Sequence, residues 1–329
     1  MASTLSTEIG SVTLLGGVST IDVSGTTLKI EAFCAVSVFK ADAIKLITIF
    51  RSHFESSLLL SILPHVIRHL QSKHVVIQTY AAVCIEKFLT VKDKDASENS
   101  YTSRVQKDHL TPHMQLLMSG LFAVLDNTDL PDNDYVMKCI MRVLAVLGKD
   151  VVPIMPSILP PLTSSLERVC RNPTNPHFNQ YLFECLAVLV RSSCGTGEAD
   201  TSSTTDAATT LHTISQFEGV LFPPFQMILA SDISEFVPYI FQILAQLLNA
   251  KPAVGGSIGG LSENYKILLQ PLLSPVLWER KGNVPALTDL IRAYVKLSSA
   301  EIIAGGYLQG ILGIFTNLLK EESTEFILF

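Results

Sequence analysis

Charge is scarce in this sequence: 16% of its 329 residues are Asp, Glu, Lys or Arg, with 24 basic against 30 acidic side chains and a formal net charge of −6. So weak and acidic a field offers no basic surface from which counterions could be released along a phosphate backbone, so nucleic acid is not expected as a partner, and electrostatic steering favours basic ones. Cysteine is sparse too. Cys34, Cys84, Cys139, Cys170, Cys185 and Cys194 form no C-x-x-C pair, and most lie in apolar helical patterns where a thiol packs as a small hydrophobe. That usage fits a reducing, intracellular compartment. Basic residues are missing from the opening "MASTLSTEIGSVTLLGG", in which Glu8 precedes a short apolar stretch broken by glycine, so it reads poorly as a secretory leader. No segment offers about 18 uncharged apolar residues in a row, and no membrane insertion is expected.

What the chain has is amphipathic helix. Hydrophobic residues make up 48% of it, enough for a large core. In "NPHFNQYLFECLAVLVR", Phe178, Tyr181, Leu182, Cys185 and Leu189 recur at helical spacing, with Asn175 placed to cap and Pro176 in the first turn. The same logic predicts helices near 40–52, 57–71, 74–90, 111–125, 133–148, 153–170, 176–192, 211–230, 233–249, 263–279, 284–298 and 307–320, and no convincing strand. These fall into pairs. The second members share "SILPHVIRHL" at 61–70, "SILPPLTSSL" at 157–166 and "LFPPFQMIL" at 221–229, read as helices with proline early, where its missing donor costs nothing. First members start near 40, 74, 133, 176, 233 and 284, and the intervals bracket the period of about 40–47 residues that marks HEAT repeats. The fold read from these patterns is all-α: an α-solenoid of about six HEAT-like antiparallel helix pairs over residues 39–329.

Three segments stand outside that pattern. Residues 91–108 are polar and mixed in charge, and 194–210 are rich in Ser, Thr, Asp, Ala and Gly; both are expected to be mobile surface loops. Residues 1–38 show weak periodicity and read as strand-like, as a frayed cap or as disordered.

Motifs for chemistry do not assemble. "GGSIG" at 255–259 fits G-x-S-x-G with Ser257 as nucleophile, but a helix precedes it and no histidine follows His212. His65 and His69 lie one helical turn apart, as zinc ligands can, without a third ligand or the glutamate of H-E-x-x-H. "DNTDLPDND" at 126–134 lacks the glycine and terminal glutamate of a calcium loop, and negative charge ahead of a helix explains it. No enzyme, cofactor or metal site is therefore expected. The only tryptophan, Trp278, lies in "WERKGNVPAL" and reads as a corner between two repeats, with Asn283 capping the next helix.

The blocks "FKADAIKLITIFRSH" (39–53), "VVIQTYAAVCIEKFL" (75–89), "DYVMKCIMRVL" (134–144), "NPHFNQYLFECLAVLVR" (175–191), "SEFVPYIFQILAQLL" (234–248) and "LLSPVLWERKGNVPALTDLIRAY" (272–294) together resemble export receptors of the importin-β (karyopherin-β) family. The resemblance covers most of Phe39–Lys320, and residues 1–38 match poorly. It implies a HEAT-repeat receptor that wraps importin-α together with Ran-GTP and moves between nucleus and cytoplasm. It extends only to the middle of a receptor several times longer, and the N-terminal repeats that grip Ran in the family have no counterpart. The alternatives are a truncated or degenerate HEAT scaffold without transport activity, or an unrecognised helical enzyme. Stacked hairpins present one long surface made mainly of second helices. Arg68, Glu167, Arg168, Glu279 and Arg280 are the candidate partner contacts there, each weighed against an ordinary solvated side chain.

Overall fold

The computed structural model describes residues 21–23, 26–28, 33–94, 101–127, 130–195, 204–251, 253–254, 257–258 and 261–327. Most of these residues are helical. The helices are α1 (Phe33–Phe50), α2 (Ser56–His69), α3 (Val75–Phe88), α4 (Lys107–Leu110), α5 (Met114–Leu125), α6 (Asp134–Leu147) and α7 (Met155–Arg171), then α8 (Pro176–Cys194), α9 (Thr204–Ala230), α10 (Val237–Asn249), α11 (Glu263–Leu272), α12 (Pro275–Glu279), α13 (Val284–Ala304) and α14 (Tyr307–Ile327).

The chain forms two compact units, Met1–Gly148 with Thr174–Cys185, and Lys149–Pro173 with Leu186–Phe329. In the first, α1 packs on α3 and α3 on α6, α2 packs on α5, and α2–α3 and α5–α6 join the two rows. In the second, α7 packs on α9, α9 on α10, α10 on α13 and α13 on α14. The helix α2 meets its neighbours through an apolar stripe. Leu59, Ile62, Leu63, Val66 and Ile67 of α2 follow the i, i+3, i+4, i+7 rule and are all buried.

Two asparagines do more than cap. Asn133 Oδ1 accepts from the Val136 amide at 3.2 Å, while its Nδ2 donates to Thr79 Oγ1 on α3 at 2.7 Å. Asn175 repeats the arrangement, with Oδ1 accepting from the Phe178 amide at 3.1 Å and Nδ2 donating to the Asp132 carbonyl at 3.1 Å. The local signal read at Asn175 is thus the observed cap.

Several expectations change. The prolines of the second helices are interior: Pro64 in α2, Pro160 and Pro161 in α7, and Pro223 and Pro224 in α9. A proline there removes an intrahelical hydrogen bond, and tertiary packing outweighs that loss. The single helix expected over 263–279 is broken at Leu273–Ser274 into α11 and α12. Helix α13 runs past 298, with a non-helical Ser298 (φ −141°, ψ 44°) inside it. The stretch Asp134–Arg171 has a window apolar enough to cross a membrane, which the sequence reading did not find. Gly148, at a φ of 54° that L side chains rarely adopt, ends α6, and a 3-10 segment follows before α7, so this stretch is two separate helices of 14 and 17 residues.

Short strands also occur. Ile21–Val23 (β1) pairs with Thr26–Leu28 (β2), Lys92–Lys94 (β3) with Tyr101–Ser103 (β4), and Ala253–Val254 (β5) with Ser257–Ile258 (β6), all antiparallel. The β3–β4 hairpin corrects the loop expected at 91–108. Arg104 Nε donates to Asp93 Oδ1 at 2.8 Å, its Nη1 donates to the Ser52 and Phe54 carbonyls, and Val105 is buried. One guanidinium thereby ties the insertion to the α1–α2 connection. The loop expected at 194–210 falls partly on residues 196–203, outside the described residues, and from Thr204 the chain is already in α9. The reading of residues 1–38 likewise lies mostly outside the described residues, and the first helix starts at Phe33.

Candidate functional site

The five candidate contact residues occupy helix ends. Arg68 is exposed in the last turn of α2, Glu167 is exposed and Arg168 half-buried near the end of α7, and Glu279 is exposed as the last residue of α12. Arg280 has a partner that the sequence did not reveal. Its Nη1 and Nη2 donate to Asp232 Oδ1 and Oδ2, each at 2.8 Å, a planar fork on a carboxylate. The hydrogen bond from Arg280 holds the Asp232 carboxyl below its usual range, and the same bond raises the guanidinium. Asp232 is, among the described residues, the one non-glycine with positive φ, at 47°.

Trp278, beside this pair, is 5% exposed. Its indole Nε1 donates to the Leu272 carbonyl at 2.8 Å and its ring meets Phe315 edge-on at 5.8 Å. The corner reading of the sequence holds for it. Asn283 stands at the start of α13 but is buried, and its Nδ2 donates back to the Leu277 carbonyl at 3.0 Å instead of its side chain capping the helix.

The corner forms one wall of a cleft in the second unit, with a volume of about 540 Å³. Phe222, Phe225 and Leu229 of α9, Phe241 and Leu244 of α10, and Ile267, Leu268 and Leu272 of α11 line it, with Val276, Leu277 and Arg280 from the corner. Phe222, Phe225, Phe241, Leu244 and Leu272 are buried, whereas Ile267 (67% exposed) and Val276 (58% exposed) are open to solvent. Polar lining is limited to Gln226, Asp232, Asn264, Ser274 and Arg280.

Behind the cleft lies a buried polar cluster. Phe222 packs edge-on against Tyr265 at 4.9 Å, and Tyr265 against Tyr294 at 5.8 Å. The Tyr294 hydroxyl donates to the Tyr265 carbonyl at 2.8 Å, and the Tyr265 hydroxyl to the Leu244 carbonyl at 3.3 Å. Lys251 Nζ lies 3.0 Å from Glu218 Oε1 and 5.2 Å from the centre of the Tyr265 ring. Burial pushes both phenols well above their usual range, and the Glu218 carboxylate adds to the shift.

The remaining motifs gain no chemistry. Ser257 lies in a two-residue strand, and the next helix begins only at Glu263, whereas a nucleophile elbow needs strand, turn and helix in immediate succession. Burial, then like charge from Lys40 and His65, holds the His69 imidazole below its usual value. Among the described residues, no group of three or more His, Cys, Asp or Glu side chains is placed to hold a metal ion. In 126–134, Asn133 supplies the cap and Asp134 begins α6, while residues 128–129 lie outside the described ones. Cys84, Cys139, Cys170, Cys185 and Cys194 are free and buried, and burial raises every one of these thiols, Cys84 and Cys194 to about 12. Such thiols are poor nucleophiles.

Comparison with known proteins adds the family. Exportin-2 of Drosophila melanogaster is 42% identical over 288 residues, which is 88% of this chain and 27% of that protein. Exportin-2 of Xenopus laevis is 35% and that of Homo sapiens 33% identical over 290 residues, with the same coverage. The chain thus spans about a quarter of the length of the curated relatives it matches. A solved structure described as the exportin Cse1 in its cargo-free, cytoplasmic state superposes with a TM-score of 0.64 at 26% identity, covering 96% of this chain and 31% of that one. The fold is the α-solenoid of HEAT-type helix pairs expected from the sequence. The Cse1 family model matches residues 25–85, ahead of Phe39 where the sequence resemblance began, and the model described as CAS/CSE protein, C-terminus, matches 86–329. Continuous family matches over that span, on paired helices that superpose on an exportin, mean that the chain belongs to the CAS/CSE family.

Proposed function

We propose that this chain is part of a nuclear export receptor of the exportin-2 type, a binding scaffold without catalysis that carries importin-α out of the nucleus with Ran-GTP. The observation that carries the reading is the 42% identity to Drosophila Exportin-2 across 88% of the chain. The architecture supports it. Within each of the two units helix packs on helix, and arrays of this kind offer long surfaces suited to wrapping a protein partner. Localisation in both nucleus and cytoplasm follows from the same reading. Arg68, Glu167, Arg168, Glu279 and Arg280 remain its candidate contacts, charged side chains at helix ends where a partner can meet them.

The test is a pull-down with the full chain as bait, importin-α as prey, and Ran loaded with either a non-hydrolysable GTP analogue or GDP. Importin-α is expected to be retained more strongly with the GTP form, and charge reversal at Arg68 or Glu167 to weaken retention. No retention of importin-α with either form, while full-length Exportin-2 retains it in parallel, identifies a scaffold without transport activity.

A further inference from the structure

The cleft between α9 and α11 has the features of a built ligand site. Its volume of about 540 Å³ lies within the roughly 300–1,000 Å³ typical of small-molecule clefts. The walls are fixed in advance: Phe222 is held edge-on by Tyr265, and the corner is held by the bond from Trp278 to the Leu272 carbonyl. The lining is mainly aromatic and aliphatic, its one cation is the guanidinium of Arg280 and its one carboxylate is that of Asp232. That guanidinium already receives a carboxylate in two parallel hydrogen bonds, from Asp232 on an exposed turn. An exposed ion pair contributes little net free energy, so a second carboxylate arriving with an apolar body can replace Asp232 at little cost. Burial of that body against the accessible side chains of the lining, Leu229, Ile267, Leu268, Val276 and Leu277, supplies the affinity.

From this arrangement we infer that the cleft binds a compact apolar molecule with a single anionic group, its body between α9 and α11 and its anionic end on Arg280. The inference does not rest on the transport reading, since it needs neither importin-α nor Ran.

Isothermal titration calorimetry of the full chain tests it, with sodium decanoate below its micelle concentration and 1-decanol as the neutral counterpart. One decanoate per chain is expected, and in Asp232→Asn, where no side-chain carboxylate competes for Arg280, it is expected to bind about tenfold more tightly than decanol, the worth of a charge-assisted hydrogen bond. Adding Arg280→Gln to that variant is expected to bring the ratio close to one while leaving decanol unchanged. Val276→Glu, at a solvent-open position on the cleft, is expected to weaken both probes by replacing apolar wall with a charged side chain, and decanoate the more, because the new carboxylate competes for Arg280. Thermal melting of each variant by circular dichroism separates a lost site from a lost fold. Absence of binding, equal affinity for the two probes in Asp232→Asn, a ratio there that adding Arg280→Gln does not move, or binding of several equivalents that Val276→Glu leaves intact each overturns the inference.

Discussion

Arg280 and Asp232 are 48 residues apart in the chain and meet in two parallel hydrogen bonds of 2.8 Å, immediately beside a tryptophan that is almost fully enclosed. Packing and charge at this corner are therefore carried by different residues. Trp278→Ala removes a buried ring, its bond to the Leu272 carbonyl and its contact with Phe315, and is expected to cost about 3–5 kcal/mol. Arg280→Ala removes an exposed pair and is expected to leave the melting temperature almost unchanged. Thermal melts of the two variants side by side decide the point; equal losses would make the arginine a structural partner of the corner.

Lys251 and Glu218 are the opposite case, an ion pair whose side chains are only 8% and 12% exposed. Removing one partner leaves the other buried and uncompensated, so Lys251→Ala is expected to destabilise the second unit by about 3–5 kcal/mol. Replacing both with apolar side chains, Lys251→Met together with Glu218→Leu, is expected to recover most of that loss. Urea unfolding of the single and double variants measures it, and a double variant no better than the single would show that the pair contributes more than mutual neutralisation.

Acid is expected to weaken the first unit through His69. Its folded pKa is depressed below 6.5 by burial, Lys40 and His65, so the unfolded chain takes up the proton more readily. The contribution of His69 is therefore complete above about pH 6.5 and is lost as pH falls through the folded value. Unfolding midpoints at pH 7.5 and 5.5 should differ more in the unaltered chain than in His69→Gln. An identical difference in both would assign the acid sensitivity to other groups.

The buried cysteines should resist alkylation in the folded state. With Cys84 and Cys194 at about 12 and Cys170 at about 11, the thiolate fraction at pH 8 is very small, and access is closed as well. Peptide mapping by mass spectrometry after brief iodoacetamide treatment should find Cys84, Cys139, Cys170, Cys185 and Cys194 unmodified without denaturant and labelled with it. Rapid labelling of Cys139 or Cys185 in the native chain would contradict the packing of α6 and α8.

The parts of this architecture that were legible in the sequence are those encoded locally. First-helix starts expected near 74, 133, 176 and 284 appear at Val75, Asp134, Pro176 and Val284, and those expected near 40 and 233 at Phe33 and Val237; an apolar stripe marks each, a capping asparagine marks Asp134 and Pro176, and a proline stands in the first turn at Pro176 and Val284. The paired helices and the corner at Trp278 followed from the same signals. What periodicity cannot carry is which distant side chains meet. Nothing around "SDIS" marks Asp232 as the acceptor for Arg280, and nothing in a polar insertion marks Arg104 as its anchor, since both pairings depend on how separate helices stack. The interior prolines were misplaced for a related reason: a local rule puts proline in the first turn, whereas burial of the apolar stripes of α2 and α7 sustains the helix through it. The cleft, too, is a property of stacking, assembled from side chains of four helices that each look like ordinary core.

The asparagines of the first unit bear on how the array comes apart. Asn175 reaches back to Asp132, whose chain neighbour Asn133 reaches back in turn to Thr79, so every helix start in this series is fastened to the one before it. In a solenoid, stability is a sum of repeat terms and nearest-neighbour coupling terms. Side chains that serve both at once make fraying at one start loosen the hold on the previous start. Under mechanical extension, α3, α6 and the beginning of α8 should therefore yield together as one rupture event, and Asn133→Ala should split it into smaller, separate steps.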